Sequence, residues 1–122
     1  KWLNMGLAEN LPVYKESYNL FTLIIKYSRN IPRDLKLLLG SELKNNAINL
    51  ILSIYKANVF KEQRGEHIEN CLLYLKYIEL VCRLLSDLKY FSVDSYANII
   101  LSTQSIGRQL TAWKNSIKKT EC

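Results

Sequence analysis

Beyond its first third, the sequence contains almost nothing that interrupts a helix. Both prolines, Pro12 and Pro32, lie in the first third of the chain. From Arg33 to the last residue the only glycines are Gly40, Gly65 and Gly107. Gly and Pro are the strongest sequence signals of turns, and a strand-rich fold needs many turns. The pattern therefore favours long helices and an all-α fold.

Four amphipathic segments follow one another along the chain, with apolar residues at three- and four-residue spacing. The predicted helices cover residues 13–29, 33–59, 66–89 and 92–118. Pro32 ends the first helix because proline cannot continue one and restricts the residue before it. Ser92 offers N-cap chemistry to the fourth helix. Short connections favour antiparallel neighbours, so residues 1–122 are predicted to form one up-down-up-down four-helix bundle, with a flexible N-terminal segment at residues 1–10.

Two of these helices have a readable inner face. In the first, the stripe is predicted to run through Tyr14, Tyr18, Phe21, Ile25 and Ser28. In the second, it is predicted to run through Leu35, Leu39, Leu43, Ala47, Leu50, Ile54 and Asn58. Gly40 lies inside the second helix, where a glycine costs about 1 kcal/mol relative to alanine. We expect it to allow a kink or a close contact between helices.

The chain is strongly basic, with a formal net charge of +6 and a pI near 9.3. Such a charge points to an acidic partner such as DNA or RNA; simple solubility is the alternative interpretation. No apolar run approaches the roughly 18 residues that a membrane span needs. We therefore expect a cytoplasmic protein without a membrane partner.

Basic residues are predicted to collect at both ends of the bundle. One group is Lys26, Arg29, Arg33 and Lys36, which Arg83 and Lys89 should join. The group at the other end is Lys56, Lys61, Arg64, Lys114, Lys118 and Lys119. Lys76 lies seven residues before Arg83, hence on the same exposed stripe of the third helix. Phosphate binding is the favoured interpretation, and salt bridging is the alternative, because Glu79 and Asp87 each lie four residues from Arg83.

The sequence offers little for catalysis or for a metal site. His67 is the only histidine, and one His with three scattered Cys does not supply a zinc site. The chain has no Gly-rich phosphate loop. Cys71 and Cys82 lie eleven residues apart on one predicted helix, about 16 Å along its axis, so they cannot form a disulfide. We expect reduced, buried thiols, no metal or cofactor, and no enzymatic activity.

The third helix has more apolar surface than one bundle requires. Its polar residues occupy an arc of about 100°, whereas a helix in a bundle needs an apolar stripe of little more than that width. The surplus includes Leu80, with Tyr74, Tyr77 and Leu84 around it. We predict that these residues pack against another subunit. The alternative is that loops or terminal residues of the same chain cover them.

Several short motifs, in order, resemble one known family. They are LPVYK at 11–15, RNIPR at 29–33, LGSEL at 39–43, IYKAN at 54–58 and IGRQLTAW at 106–113, with Ala47 and Arg83 between them. Together they resemble the accessory variability determinant proteins of diversity-generating retroelements. These belong to a wider four-helix-bundle group that includes proteins encoded in intervening sequences of 23S ribosomal RNA. Residues 47–53 read AINLILS and depart from the stretch typical of the intervening-sequence branch, which favours the retroelement branch.

The resemblance covers residues 11–116 and implies a function. It implies a basic homopentameric barrel without catalytic residues, which binds the retroelement's reverse transcriptase and DNA or RNA during mutagenic reverse transcription and retrohoming. Arg83 and Arg108 match basic positions of the family and are the first candidates for these contacts, followed by Lys76, Arg29, Arg33 and Lys36. The alternatives are an RNA-associated intervening-sequence protein of the same fold and a purely structural oligomer.

Overall fold

The computed structural model describes the backbone of residues 6–121 and the side chains of residues 8–119. Its α-helices are α1 (Gly6–Asn10), α2 (Pro12–Ser28), α3 (Arg33–Leu35), α4 (Ser41–Val59), α5 (Arg64–Asp87) and α6 (Val93–Glu121). A π-helical turn, Lys36–Gly40, joins α3 to α4, and a 3-10 turn, Lys61–Gln63, precedes α5. Helices form 90% of the chain described, with no strand in it, which confirms the all-α prediction. Across these residues no helix is long and apolar enough to span a membrane.

The four long helices pack in the cyclic order α2, α4, α5, α6, so that each contacts two neighbours. Two side-chain contacts show that α4 and α5 are antiparallel. The Cys71 thiol faces the carbonyl oxygen of Leu50 at 3.9 Å, and the Tyr77 hydroxyl donates to Glu42 at 3.1 Å. Residue numbers therefore rise along α5 as they fall along α4. This arrangement is the one expected for short connections between helices.

The short helix α1 packs against α2 and α4, and its Ala8 is fully buried. It falls within the segment predicted to be flexible, of which residues 1–5 lie outside the described residues. Ala8 covers part of the core at the start of the bundle.

The buried face of α2 coincides only in part with the predicted stripe, of which Ser28 is buried and Tyr14 and Phe21 are half-buried against the core. Its buried residues are Val13, Ser17, Leu20, Ile24, Tyr27 and Ser28. Tyr18 is 58% exposed and Ile25 also faces solvent. The helix is apolar on two adjacent sides, and the core takes the side with the aliphatic Leu20 and Ile24, while Tyr18 keeps its hydroxyl in water. In α4 the central residues of the predicted stripe, from Leu43 to Ile54, are buried as expected.

The second predicted helix is interrupted by the π-helical turn. Gly40 ends this turn and is buried. A Cβ at Gly40 would lie 3.3 Å from Cγ of Lys36, so the missing side chain leaves room for the lysine stem. The glycine expected to allow a kink or close contact thus allows a change of helix type.

The turn between α5 and α6 lies beside the end of α2. Lys89 has a φ of 71°; its N–H donates to the Ser86 carbonyl, and the Tyr90 N–H donates to the Leu85 carbonyl, which is a Schellman motif. Ser92 caps α6, accepting a hydrogen bond from the Ser95 N–H at 3.0 Å, as predicted. The Phe91 ring packs edge-on against Tyr27, with 6.2 Å between ring centres.

Candidate nucleic-acid interface

One group of basic residues converges in a small cleft between α2 and α4. The cleft has a volume of about 160 Å³ and is lined by Ile25, Ser28, Arg29, Lys36 and Lys44. We call it the α2–α4 cleft. The fold brings Arg29 and Lys36, both candidates from the sequence, to one place, and it adds Lys44 from the first turn of α4.

The charge of the α2–α4 cleft is uncompensated. No acidic residue lines it. Between described side chains, the ion pairs are Lys76 with Glu79, Arg83 with Asp87 and Lys114 with Glu69, so none involves a cation of this cleft. Lys36 Nζ lies 3.5 Å from the Arg29 carbonyl oxygen, at the outer limit of a hydrogen bond. Three cations around one cleft create a local positive potential that attracts anions.

A second group lies in an open groove between α5 and α6, about 760 Å³ in volume. Lys76 and Glu79 line it from α5, and Arg108 lines it from α6. We call it the α5–α6 groove. A Cβ on Gly107 would lie 3.5 Å from Cδ2 of Leu75, an ordinary contact, so the floor of the groove is closely packed. The fold therefore brings together two sequence candidates, Lys76 and Arg108, with one carboxylate between them.

The remaining two candidates stand apart from both clefts. Arg83 pairs with Asp87 at 3.6 Å, and both side chains are mostly exposed. Exposed pairs of this kind contribute about 0–1 kcal/mol, so the pair leaves Arg83 able to exchange its partner for a phosphate. Glu79 pairs with Lys76 instead of Arg83. Arg33 is exposed at the start of α3.

At the opposite end of the bundle, two of the basic residues serve the fold. Arg64 donates from Nε to the Ala57 carbonyl at 2.7 Å and from a terminal nitrogen to the Asn58 carbonyl at 3.0 Å. Lys114 forms an ion pair with Glu69. Arg64 and Lys114 therefore bind groups of their own chain. Of the group predicted at this end, Lys56, Lys61, Lys118 and Lys119 remain exposed.

An apolar stripe runs along the outer side of α5. It consists of Leu73, Tyr77, Leu80, Leu84 and Leu88, at spacings of three and four residues, all exposed. We call it the α5 stripe. Leu80, at its centre, is 66% exposed. Three of the four predicted interface residues belong to it, whereas Tyr74 is half-buried and packs against the core.

The described residues also include two buried thiols and one histidine. Cys71 and Cys82 are fully buried, as predicted, and Cys122 lies outside the described residues. Burial raises the pKa of each thiol to about 12, so both are neutral. His67 packs its ring against Phe60, with 6.0 Å between ring centres. Within residues 6–121 no three His, Cys, Asp or Glu side chains gather where they could hold a metal ion.

Tyr77 connects the α5 stripe to α4. Its phenol donates a hydrogen bond to the Glu42 carboxylate, and this bond, with smaller contributions from burial and the charge of Glu42, raises the pKa of Tyr77. The hydrogen bond fixes the polar end of Tyr77 and leaves its ring beside Leu80.

Sequence reasoning missed Ser28 and Lys44 as members of a basic cleft. In the sequence, Ser28 is recognisable only as a member of the predicted apolar stripe, and Lys44 only as one of the cations of α4. A signal was present in the four- and eight-residue spacings of Lys36, Gly40 and Lys44, which place them near one helix face.

The described part of the chain is thus an all-helical bundle with basic clefts and an exposed apolar stripe on α5. Comparison with family models gives a match to the bAvd-like family over residues 13–117. The chain belongs to the bAvd-like family, which confirms the resemblance in the sequence. A comparison with curated proteins found no match.

Proposed function

We propose that this chain is a non-enzymatic accessory protein of a diversity-generating retroelement. In this proposal it forms a basic homopentamer in the cytoplasm and binds the element's reverse transcriptase together with DNA or RNA. The complex supports mutagenic reverse transcription and retrohoming. The observation that carries the proposal is the bAvd-like match, which extends over residues 13–117.

The distribution of charge supports the nucleic-acid part of the proposal. The net charge is +6, and the α2–α4 cleft holds three cations without an ion pair among the described side chains. Lysine and arginine that contact phosphates release counterions, which drives binding without regard to sequence. Arg83, Arg108 and Lys76 supply further contacts along α5 and α6.

The α5 stripe supports the assembly part of the proposal. Large apolar side chains in a continuous row are expected at an interface, because exposing them to water costs free energy. Five copies would present each basic residue five times, which raises apparent affinity without any new contact. The number five follows from the family resemblance and not from the stripe.

Fluorescence anisotropy with labelled DNA and RNA across a salt series tests the nucleic-acid part. The logarithm of affinity should fall linearly with the logarithm of salt, with a slope of about −0.9 per duplex contact or −0.7 per single-strand contact. Arg83→Ala combined with Arg108→Ala should weaken binding to all sequences and flatten the slope. Arg83→Ala and Arg108→Ala are also measured one at a time. Lys15→Ala, at an exposed position of α2, removes one charge as each of them does, and should weaken binding less than either.

A pull-down with the reverse transcriptase of a diversity-generating retroelement tests the polymerase part. Retention of the polymerase by the wild-type chain supports the proposal. If the wild-type oligomer binds neither polymerase nor nucleic acid at low salt, the chain is a structural oligomer instead. Binding of ribosomal RNA without the polymerase would favour the intervening-sequence branch.

A further inference from the structure

We propose that the α2–α4 cleft is a phosphate-binding site in which the buried hydroxyl of Ser28 acts together with Arg29, Lys36 and Lys44. The ligand group is a phosphate oxyanion, carried by the backbone of a nucleic acid. The inference rests on the proposed nucleic-acid function and deepens it, since it names one site and two residues, Ser28 and Lys44, that neither the family match nor the sequence pattern assigns.

The hydroxyl of Ser28 is the first observation. Ser28 is 2% exposed, and its Oγ has no hydrogen-bond partner among the described residues. A serine in the last turn of a helix usually donates to a carbonyl of the preceding turn. A buried polar group without a partner destabilises the fold, so natural proteins keep such groups rare. Ser28 lines the α2–α4 cleft. A ligand in this cleft can accept a hydrogen bond from the Ser28 hydroxyl, for which the described residues supply no acceptor.

The charges around Ser28 are the second observation. Arg29 follows it in the chain, Lys36 lies in the π-helical turn, and Lys44 lies in α4. The three cations come from the turn after α2, the π-helical turn and α4, and they line one cleft with no carboxylate. Like charges in one cleft repel each other, and an anion bound between them removes that repulsion. Arginine and lysine are also the residues that bind phosphate most strongly.

The size of the cleft fits a phosphate group. Its volume is about 160 Å³, several times the share of roughly 30 Å³ that one water molecule occupies in the liquid. A backbone phosphate has two charged non-bridging oxygens, each of which accepts more than one hydrogen bond, so it can accept from Ser28 and from the cations at once. Ile25 supplies an apolar wall, which strengthens the electrostatic contacts by keeping water away from one side.

Two variants separate the hydroxyl from the charge. Ser28→Ala changes no charge, and Ser17→Ala is its matched control, because Ser17 also lies in α2, is 1% exposed, has an unpartnered Oγ and does not line the cleft. Lys44→Gln removes one charge from the cleft. Lys15→Gln removes one charge from an exposed position of α2, and serves as its control.

The first measurement is anisotropy with a labelled single-stranded oligonucleotide across a salt series. Ser28→Ala should lower affinity about tenfold, the effect of one hydrogen bond to a charged group, without changing the salt slope, since a hydroxyl releases no counterion. Lys44→Gln should lower affinity and reduce the slope by about 0.7. Ser17→Ala should bind as the wild type does, and Lys15→Gln should keep the wild-type slope. Equal binding by Ser28→Ala and Ser17→Ala, with equal slopes for both lysine variants, would overturn the site and leave the proposed function standing.

The second measurement uses inorganic phosphate and needs no nucleic acid. Sodium phosphate should raise the melting temperature of the wild type above its value in sodium chloride of the same ionic strength, because a ligand that binds only the folded state stabilises it. The rise should be lost in Ser28→Ala and in Lys44→Gln, and kept in both controls. A wild type that does not bind the oligonucleotide but shows this pattern refutes the nucleic-acid part of the proposed function and keeps the phosphate site. The same rise in all five proteins, or in none, refutes the site.

Discussion

Arg64 lies over the ring of Trp113, with 5.6 Å between the guanidinium carbon and the ring centre. The same guanidinium donates hydrogen bonds to the carbonyls of Ala57 and Asn58. Arg64 is the first residue of α5, Trp113 belongs to α6, and the two carbonyls lie at the C-terminal end of α4. One side chain therefore connects three helices at one end of the bundle and satisfies carbonyls that the helix itself leaves unpaired.

Replacing this arginine should destabilise the fold even when the charge is kept. Arg64→Lys removes the planar group that reaches both carbonyls and stacks on the indole. Two hydrogen bonds contribute about 1 kcal/mol each and the stacking about 0.5–1 kcal/mol, so we expect a loss of about 2.5–3 kcal/mol in the free energy of unfolding. Urea denaturation followed by circular dichroism measures it.

The control for this prediction is Lys61→Gln in the neighbouring 3-10 turn. Lys61 is exposed and has no ion pair with any described side chain, so this change should leave stability within about 0.5 kcal/mol of the wild type. An equal effect of both substitutions would mean that the contacts of Arg64 do not stabilise this end.

A charge in the α5 stripe should dissociate the oligomer. Leu80→Glu places a carboxylate at the centre of the stripe, where subunit contact would bury it without a partner. We expect a smaller particle by light scattering, with helicity mostly unchanged because Leu80 is already exposed in the single chain. The wild type should elute as a pentamer.

Val93→Glu is the comparison for Leu80→Glu. Val93 is more exposed than Leu80 and lies in the first turn of α6, where a carboxylate is favourable. It should leave the particle size unchanged. A wild-type chain that is monomeric refutes the role of the α5 stripe, whereas a dimer or tetramer refutes only the pentamer.

Lys89 should be replaceable by glycine with a gain in stability. Its φ of 71° is in the left-handed region, which costs a residue with a Cβ roughly 1 kcal/mol. Lys89→Gly removes that cost and keeps both hydrogen bonds of the Schellman motif, so the melting temperature should rise. Lys89→Ala removes the same charge but retains the Cβ, and should give no rise. Equal melting temperatures for the two variants would show that the charge of Lys89 is what matters.

The thiols of Cys71 and Cys82 should resist modification in the folded protein. Both are buried and protonated, and the thiolate is the reactive form. In a Cys122→Ser background, labelling with an aromatic disulfide reagent at pH 8 should be slow and should accelerate as urea unfolds the chain. Reaction at the rate of a free thiol in native buffer would contradict the burial of both side chains.

The same thiols make the fold sensitive to alkali. Burial raises their pKa from an ordinary 9.0 to about 12 in the folded state. Below pH 9 the thiols are protonated in both the folded and the unfolded state, so they do not lower the free energy of unfolding. Between pH 9 and 12 only the unfolded state loses these protons, so the free energy of unfolding falls as the pH rises. Urea midpoints between pH 8 and pH 10.5 should therefore fall more steeply for the wild type than for Cys71→Ala/Cys82→Ala. Parallel slopes would show that the two thiols do not cause the loss.

Local sequence rules account for the helices and their ends. Pro32 stops α2 within one turn, and the Ser92 hydroxyl caps α6, because each effect depends on a few adjacent residues. The apolar surplus of the third helix also follows from residue order alone, and it becomes the α5 stripe. These features could be predicted because they need no knowledge of what lies across the bundle.

Features that depend on neighbouring helices could not be predicted in the same way. Ile24 and Ile25 lie on adjacent sides of α2, and only the packing of α4 and α6 decides that Ile24 is buried. The α2–α4 cleft requires residues 28 and 44 to approach across two helices. Arg64 and Lys114 read as free cations in the sequence, and their partners come from other elements.

The π-helical turn at Lys36–Gly40 adds one residue to the chain between α3 and α4. Such a turn closes from residue i to i+5 and so holds one residue more than an α-helical turn. Deleting one residue there would restore a plain α-helix in which Lys36 and Lys44 stand seven residues apart, about 20° apart around the axis at 100° per residue. The extra residue therefore lengthens the approach to α4 without turning Lys36 away from Lys44. Deleting a second residue would separate the two lysines by about 120°.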